Sequence, residues 1–239
     1  MKKILLTSIL SVIIFCNLLG QVFIEQNQPE VDSKTLHFGF SVGLNTQNTL
    51  FTHINQSSSP EQFYAESPSY SPGFSVGLVS DLYLTRYLNL RLAPGLHFGS
   101  KEVNIKNLTT GELLKQDLKS NYLLLPLELK YSSLRFNNSR PYLMIGAALG
   151  YDLSLKTGDT EYLRLKPFDL YLEVGVGCDL YFQYYKLIPE LKVCFGMSNV
   201  LDTKRTDLEV PLVGANPKRF TQALSKASSR LIVLSFYFE

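Results

Sequence analysis

His37, His53 and His97 are the three imidazoles of the chain, and the reactions they suggest can be weighed by spacing. A Ser–His–acid relay can be drawn from Ser41, His97 and Asp81, with the hydroxyl as nucleophile and the imidazole as base. Any serine-rich chain permits such a drawing, and no motif anchors this one. The chain has no G-x-S-x-G elbow, no H-E-x-x-H helix, no C-x-x-C pair and no phosphate loop. An imidazole that hydrogen-bonds within a polar interior is the simpler reading of His37 and His97, and His53 falls in a long polar link. Catalytic, cofactor-binding and metal-ligating residues are therefore assigned as none, and no cofactor is expected.

A larger set of residues carries electrostatics rather than a reaction: Asp81, Arg91, Glu128, Lys130, Asp152, Asp169, Glu173, Asp179, Glu190, Lys192 and Arg230. Their neighbours explain them. In residues 168–182, Phe168, Leu170, Leu172, Val174, Val176, Cys178, Leu180 and Phe182 are apolar. The alternate positions Asp169, Tyr171, Glu173, Gly175, Gly177, Asp179 and Tyr181 are acidic, tyrosine or glycine. A period of two is a strand with one apolar face. Fifteen residues at about 3.3 Å each span about 50 Å, longer than a soluble strand requires. An apolar outside and a charged, glycine-bearing inside are what a strand crossing a membrane needs.

Seven further segments repeat the pattern: about 35–45, 73–84, 87–99, 119–131, 140–153, 187–199 and 227–238. Links one, three, five and seven (about 46–72, 100–118, 154–166 and 200–226) are long and polar, whereas those near 85–86, 132–139 and 183–186 are short. The expected fold is all-β: an eight-stranded antiparallel transmembrane β-barrel with four long extracellular loops and three short periplasmic turns. A soluble eight-stranded barrel with its apolar face inward is the competing fold; it needs neither strands this long nor so uniformly Leu-rich a face. Pro94, Pro126 and Pro189 interrupt the strands. Since a closed barrel has no edge to hide a missing N–H, each should sit at a bulge or an unpaired position. Tyr83, Tyr87, Tyr131, Tyr142, Tyr181, Tyr184, Tyr185 and Tyr237 gather at the short-turn ends, where an interfacial aromatic girdle is expected.

Met1-Lys2-Lys3 followed by an apolar run to Leu19 and then Gly20-Gln21 reads as a secretory signal peptide, residues 1–20. Residues 21–34 are then a periplasmic N-terminal segment and 35–239 the barrel. Removing 1–20 takes away two lysines and no acid and leaves no net charge, which gives no electrostatic case for nucleic acid. Cys178 and Cys194 flank a turn but fall on opposite strand faces, so two free thiols are expected. The charged residues should point into a lumen only wide enough for side chains and plug it by pairing. Outer-membrane lipid is the expected surrounding, and the bacterial outer membrane the expected location.

Several stretches covering most of residues 35–200 resemble the PorT family of outer-membrane barrels of Bacteroidota-type Gram-negative bacteria. They are Leu36-His37-Phe38-Gly39-Phe40-Ser41-Val42-Gly43, Leu88-Asn89-Leu90-Arg91-Leu92-Ala93-Pro94-Gly95, Pro126-Leu127-Glu128-Leu129-Lys130-Tyr131, Arg140-Pro141-Tyr142-Leu143 and Arg164-Leu165-Lys166-Pro167 running on to Asp169-Leu170-Tyr171-Leu172-Glu173-Val174-Gly175. The resemblance implies a non-enzymatic accessory or assembly role in type IX secretion of sorting-domain cargo, with protein partners from that machinery. A lipid-modifying enzyme or an adhesin-like small barrel is the alternative. The resemblance supplies no catalytic residues.

Overall fold

Alternation of apolar and polar residues runs almost unbroken through ten strands, and their pairing closes on itself. The structure, a computed structural model, describes residues 27–29, 31, 34–53, 63–66, 71–107, 113–154, 166–201 and 224–239. The expected signal peptide lies outside the described residues, as does most of 21–34. The strands are β1 (Leu36–His53), β2 (Phe63–Glu66), β3 (Ser71–Tyr83), β4 (Leu88–Leu92), β5 (Gly95–Asn107), β6 (Leu113–Ser132), β7 (Ser139–Asp152), β8 (Phe168–Tyr181), β9 (Lys186–Gly196) and β10 (Leu224–Phe238). The order β1-β10-β9-β8-β7-β6-β4-β3 returns to β1 through the β1–β3 pairing, with β4 and β5 acting as two halves of one wall strand. The ring therefore has eight staves, all antiparallel to their neighbours. β2 adds only a short pairing to the outer end of β5.

The stagger of the ring follows from the register. Directly paired residues lead from His37 to Asp81, Arg91, Glu128, Gly146, Glu173, Cys194, Leu231 and back to β1 at Gln47. The circuit thus re-enters β1 ten residues beyond its start. A shift of ten on eight strands corresponds to a tilt of about 40°, the range of membrane barrels. The same circuit passes through four charged residues, which is how residues from distant parts of the sequence meet inside.

The two faces separate cleanly. Leu44, Leu78, Leu127, Leu143, Val176 and Leu234 are among the many large apolar side chains exposed outside, while Asp81, Arg91, Glu128, Lys130, Glu173 and Glu190 are buried inside. Strands reach further at the end opposite the short turns than their patterns suggested. β5 and β6 pair as far as Lys106↔Leu113, so the third link is a tall hairpin and not a long loop. The short turns lie at Tyr83–Leu88, Ser132–Ser139 and Tyr181–Lys186. In the second, Asn137 takes a φ of 52°, a left-handed conformation that asparagine tolerates.

All three prolines occupy local gaps in which the register is kept, and none makes a bulge. β4 ends against β6 at Leu92↔Leu127, and β5 resumes at Gly95↔Leu124. That register sets Pro126 opposite Ala93, beside Pro94, so two residues lacking an N–H share one gap. The Leu78 N–H donates to the Pro94 carbonyl at 2.9 Å and bridges it. On the other side, the β8–β9 ladder skips the positions opposite Ile188 and Pro189 and resumes at Leu180↔Leu187. Cys178 and Cys194 are both free, one half-buried on the outer side and one buried inside, as their strand parity requires.

Gly177 shows what the small residues of the inner face allow. Gly177 is paired with Tyr142, whose ring lies over it, and a Cβ at Gly177 would collide with that ring. Gly177→Val should lower the unfolding free energy by about 1–3 kcal/mol, the usual penalty for overpacking, and combining it with Tyr142→Ala should recover part of the loss. Urea unfolding in lipid vesicles, run as a double-mutant cycle, measures both.

Candidate functional site

The inside of a narrow barrel solvates charge poorly, so a charged side chain there must meet an opposite one or be held by hydrogen bonds. At the short-turn end the side chains form a continuous chain of contacts. Arg91, fully buried on β4, places Nη1 2.8 Å from Glu190 Oε2 and Nη2 3.3 Å from Asp81 Oδ2. Asp81 also accepts from Asn89 Nδ2 at 2.6 Å. Tyr142 and Tyr237 donate their hydroxyls to the two oxygens of Glu190, at 2.6 and 3.0 Å. Their rings flank the guanidinium at 5.4 and 5.0 Å, so Arg91 is held by two carboxylates and two aromatic faces.

The chain continues through Lys130, whose Nζ lies 2.7 Å from Asp179 Oδ1 and 3.8 Å from Asp81 Oδ2. Asp179 in turn lies 3.8 Å from Lys186, which binds Glu239 Oε2 at 2.6 Å; His37 Nδ1 is 3.9 Å from that carboxylate. A second group sits deeper. Lys192 Nζ is 2.8 Å from Glu128 Oε1 and 3.3 Å from Glu173 Oε2, and the Cys194 thiol donates to Glu173 Oε1 at 3.3 Å. Above it the lumen turns apolar and aromatic: Tyr122, Leu124, Ala148, Tyr171, Cys194, Leu231 and Val233 pack together, with Tyr122 and Tyr171 edge to face at 6.2 Å.

The mouth at the short-turn end has its own closure. β1 and β7 face each other across the ring, and the segment before β1 reaches the β6–β7 turn. The Asn27 N–H donates to Asn138 Oδ1 at 2.8 Å, Asn27 Nδ2 to the Tyr181 carbonyl at 3.1 Å and Gln28 Nε2 to the Phe182 carbonyl at 2.9 Å. The Arg135 guanidinium donates to the carbonyls of Asn27 and Gln28 while lying 3.7 Å over the Tyr181 ring.

Of the charged residues named from sequence, Asp81, Arg91, Glu128, Lys130, Glu173, Asp179, Glu190 and Lys192 are brought together in these two groups. Asp169 and Asp152 are inside but higher: Asp169 accepts from the Ser198 N–H at 3.3 Å, and Asp152 from the Ser120 hydroxyl at 2.7 Å. Arg230 is a correction. It is exposed on the outer surface, because Ser229, Leu231 and Val233 are buried and strand parity then turns the even positions of β10 outward. Tyr142, Tyr181 and Tyr237 are a second correction: they are buried in the lumen and do not belong to a girdle. Tyr87, Tyr131, Tyr184 and Tyr185 remain outside at the short-turn end, joined by Phe136 and Phe182. Parity already placed the three buried tyrosines inward, since Leu143, Leu180, Phe236 and Phe238 beside them point out.

The Ser41, His97, Asp81 relay is not assembled. Asp81 is engaged by Asn89 and Arg91, and it lies six residues along β3 from Ser75, which pairs with His97. That separation is about 20 Å along the strand. Among the described residues no three His, Cys, Asp or Glu side chains are placed to hold a metal ion.

A closed ring that exposes leucine and phenylalanine around its wall and keeps paired charges within is a transmembrane β-barrel of the bacterial outer membrane. The chain belongs to the outer membrane protein beta-barrel domain family, whose profile matches residues 24–202. Three solved outer-membrane proteins are similar in shape. Neisserial surface protein A (NspA) is 10% identical, with 85% of this chain and 98% of that one aligned at a TM-score of 0.44. OprG from Pseudomonas aeruginosa is 13% identical, with 85% and 90% aligned and a TM-score of 0.39. The outer membrane protein AlkL, solved in DMPC lipid bilayers, is 11% identical, with 90% and 97% aligned and a TM-score of 0.37. Comparison with curated proteins finds no significant match.

Arg91→Met removes one partner from two buried carboxylates. It should cost about 3–5 kcal/mol of unfolding free energy, the penalty for a stranded buried charge. Equilibrium unfolding in vesicles checks this, and Arg230→Met, on the outer surface, should change stability far less.

Proposed function

We propose that this barrel is a non-enzymatic, non-conducting outer-membrane component that works through its surfaces, as an accessory or assembly factor in type IX secretion of sorting-domain cargo. One observation supports it above all: the lumen is filled by its own side chains. Arg91, Glu128, Lys130 and Glu173, with relative exposures of 1% or less, each meet an opposite charge within the bore (Glu190, Lys192, Asp179 and Lys192 in turn), and an apolar layer lies above them. Opening a solute path would strand several buried charges at once. A bore that side chains alone can fill is also too narrow for folded cargo. The type IX assignment rests on the resemblance to PorT of the segments around Arg91, Glu128 and Asp169 to Gly175. Contacts with partners then fall to the loops and rims, where a rigid scaffold usually carries recognition.

Deleting the gene should trap sorting-domain cargo in the periplasm, leave lipid A chemically unchanged, and be rescued by the wild-type barrel. Altered lipid A with normal secretion would favour the lipid-modifying alternative. Reconstituted in planar bilayers, the purified barrel should show no stepwise conductance; steady channels would overturn the closed-lumen reading.

A further inference from the structure

Charge on the described side chains divides by surface. Asp81, Glu128, Asp152, Asp169, Glu173, Asp179 and Glu190 are all buried within, whereas Lys34, Arg86, Lys166, Lys226 and Arg230 are exposed. Three of those exposed bases share one patch. Lys226 and Arg230 stand four residues apart on the outer face of β10, with Ser228 between them. Lys166 leads into β8 on the same outer side, next to exposed Phe168, and its N–H bonds to the Val200 carbonyl in the chain leaving β9. β8, β9 and β10 are consecutive staves. No described acidic side chain faces outward on them: between the three bases lie Phe195, Met197, Phe168, Leu170 and Leu172.

The height of the patch is informative. Phe238, Phe236, Leu234 and Ile232 line the outside of β10 from the short-turn end upward, and Arg230 is next. From Phe238 to Arg230 the strand rises about 26 Å, or about 20 Å along the membrane normal at this tilt, close to the height of a barrel's apolar band. Arg230 therefore stands where hydrocarbon ends, on the side away from the short turns. Its guanidinium lies 5.9 Å from the Phe195 ring, so the aliphatic stem follows the apolar wall while the charge points up. An arginine buried in hydrocarbon would be costly, but at this boundary it meets lipid headgroups.

We infer that Lys166, Lys226 and Arg230 form a binding site for the phosphate of an outer-leaflet lipid. The guanidinium can take two phosphate oxygens in a fork, and the lysines supply point charges beside it. The exposed apolar side chains beneath, Leu172, Ile232 and Leu234, would lie along the acyl chains. A free anion would use only the upper half of this surface; a lipid uses both halves.

The test is a titration of the purified, folded barrel in detergent micelles with bis-phosphorylated lipid A, with bound lipid counted by native mass spectrometry. Wild type should bind it about thirtyfold more tightly than a Lys226→Gln/Arg230→Gln variant, given about one kcal/mol for each of the two interfacial bases removed. Dephosphorylated lipid A should bind wild type no better than the variant binds the phosphorylated form. Arg86→Gln, at the opposite rim, should leave binding intact, and Arg230→Lys should retain most of it. Heat-dependent gel mobility establishes that each variant is folded, and Lys166→Gln gives an independent second arm if the double variant does not fold. Equal binding by wild type and folded variants overturns the proposal. So does indifference to the lipid phosphate, or displacement by millimolar inorganic phosphate, which would mark an adventitious anion contact.

Discussion

Hydrocarbon offers no hydrogen bonds, and every other feature of this barrel answers to that fact. Backbone N–H and C=O groups must be met within the protein, which forces the strands into a ring with no edge. The same shortage of water acts inside the ring, where eight staves leave room only for side chains. Charges there survive by pairing or by hydrogen bonds, so Arg91 between Asp81 and Glu190, and Lys192 between Glu128 and Glu173, follow from the same constraint as the ladder itself.

The prolines show how far the ladder can be thinned. Each removes a donor, and in a ring that loss cannot be moved to an edge. The structure concentrates the losses: Pro94 and Pro126 share one gap, and Pro189 sits in a second. Because the register is the same on both sides of each gap, no residue changes face. Leu92 and Leu96 stay outside and Arg91 and His97 inside, which an inserted residue would have reversed.

The lumen is layered. Charged and tyrosine side chains fill the end near the short turns, apolar and aromatic side chains fill the next layer, and neutral or acidic groups such as Gln47, Asp152 and Asp169 lie above. With acids held inside, the exposed charge described on the outer surface is basic, and part of it falls at the upper boundary of the apolar band. An inner plug and an outer basic patch are thus two results of one sorting rule: charge that meets an opposite charge or hydrogen-bond donors lies within, and the exposed bases lie at the water or headgroup boundary.

Strand parity made most of this legible in advance. A period of two fixes which side chains leave the core together, so the inward placement of Asp81, Glu128, Lys130, Glu173 and Lys192, the outward leucines, the free thiols and the ring of eight could be read from residue order alone. The three buried tyrosines follow the same rule: parity turns them inward, although they lie near strand ends. Arg230 obeys the same parity and turns outward, although its charge alone suggests the lumen. What order alone did not contain was the stagger. The ten-residue offset around the ring decides which inward residues share a level, and so it brings Arg91 to Glu190, ninety-nine residues away. Parity is a property of one strand; level is a property of the closed ring.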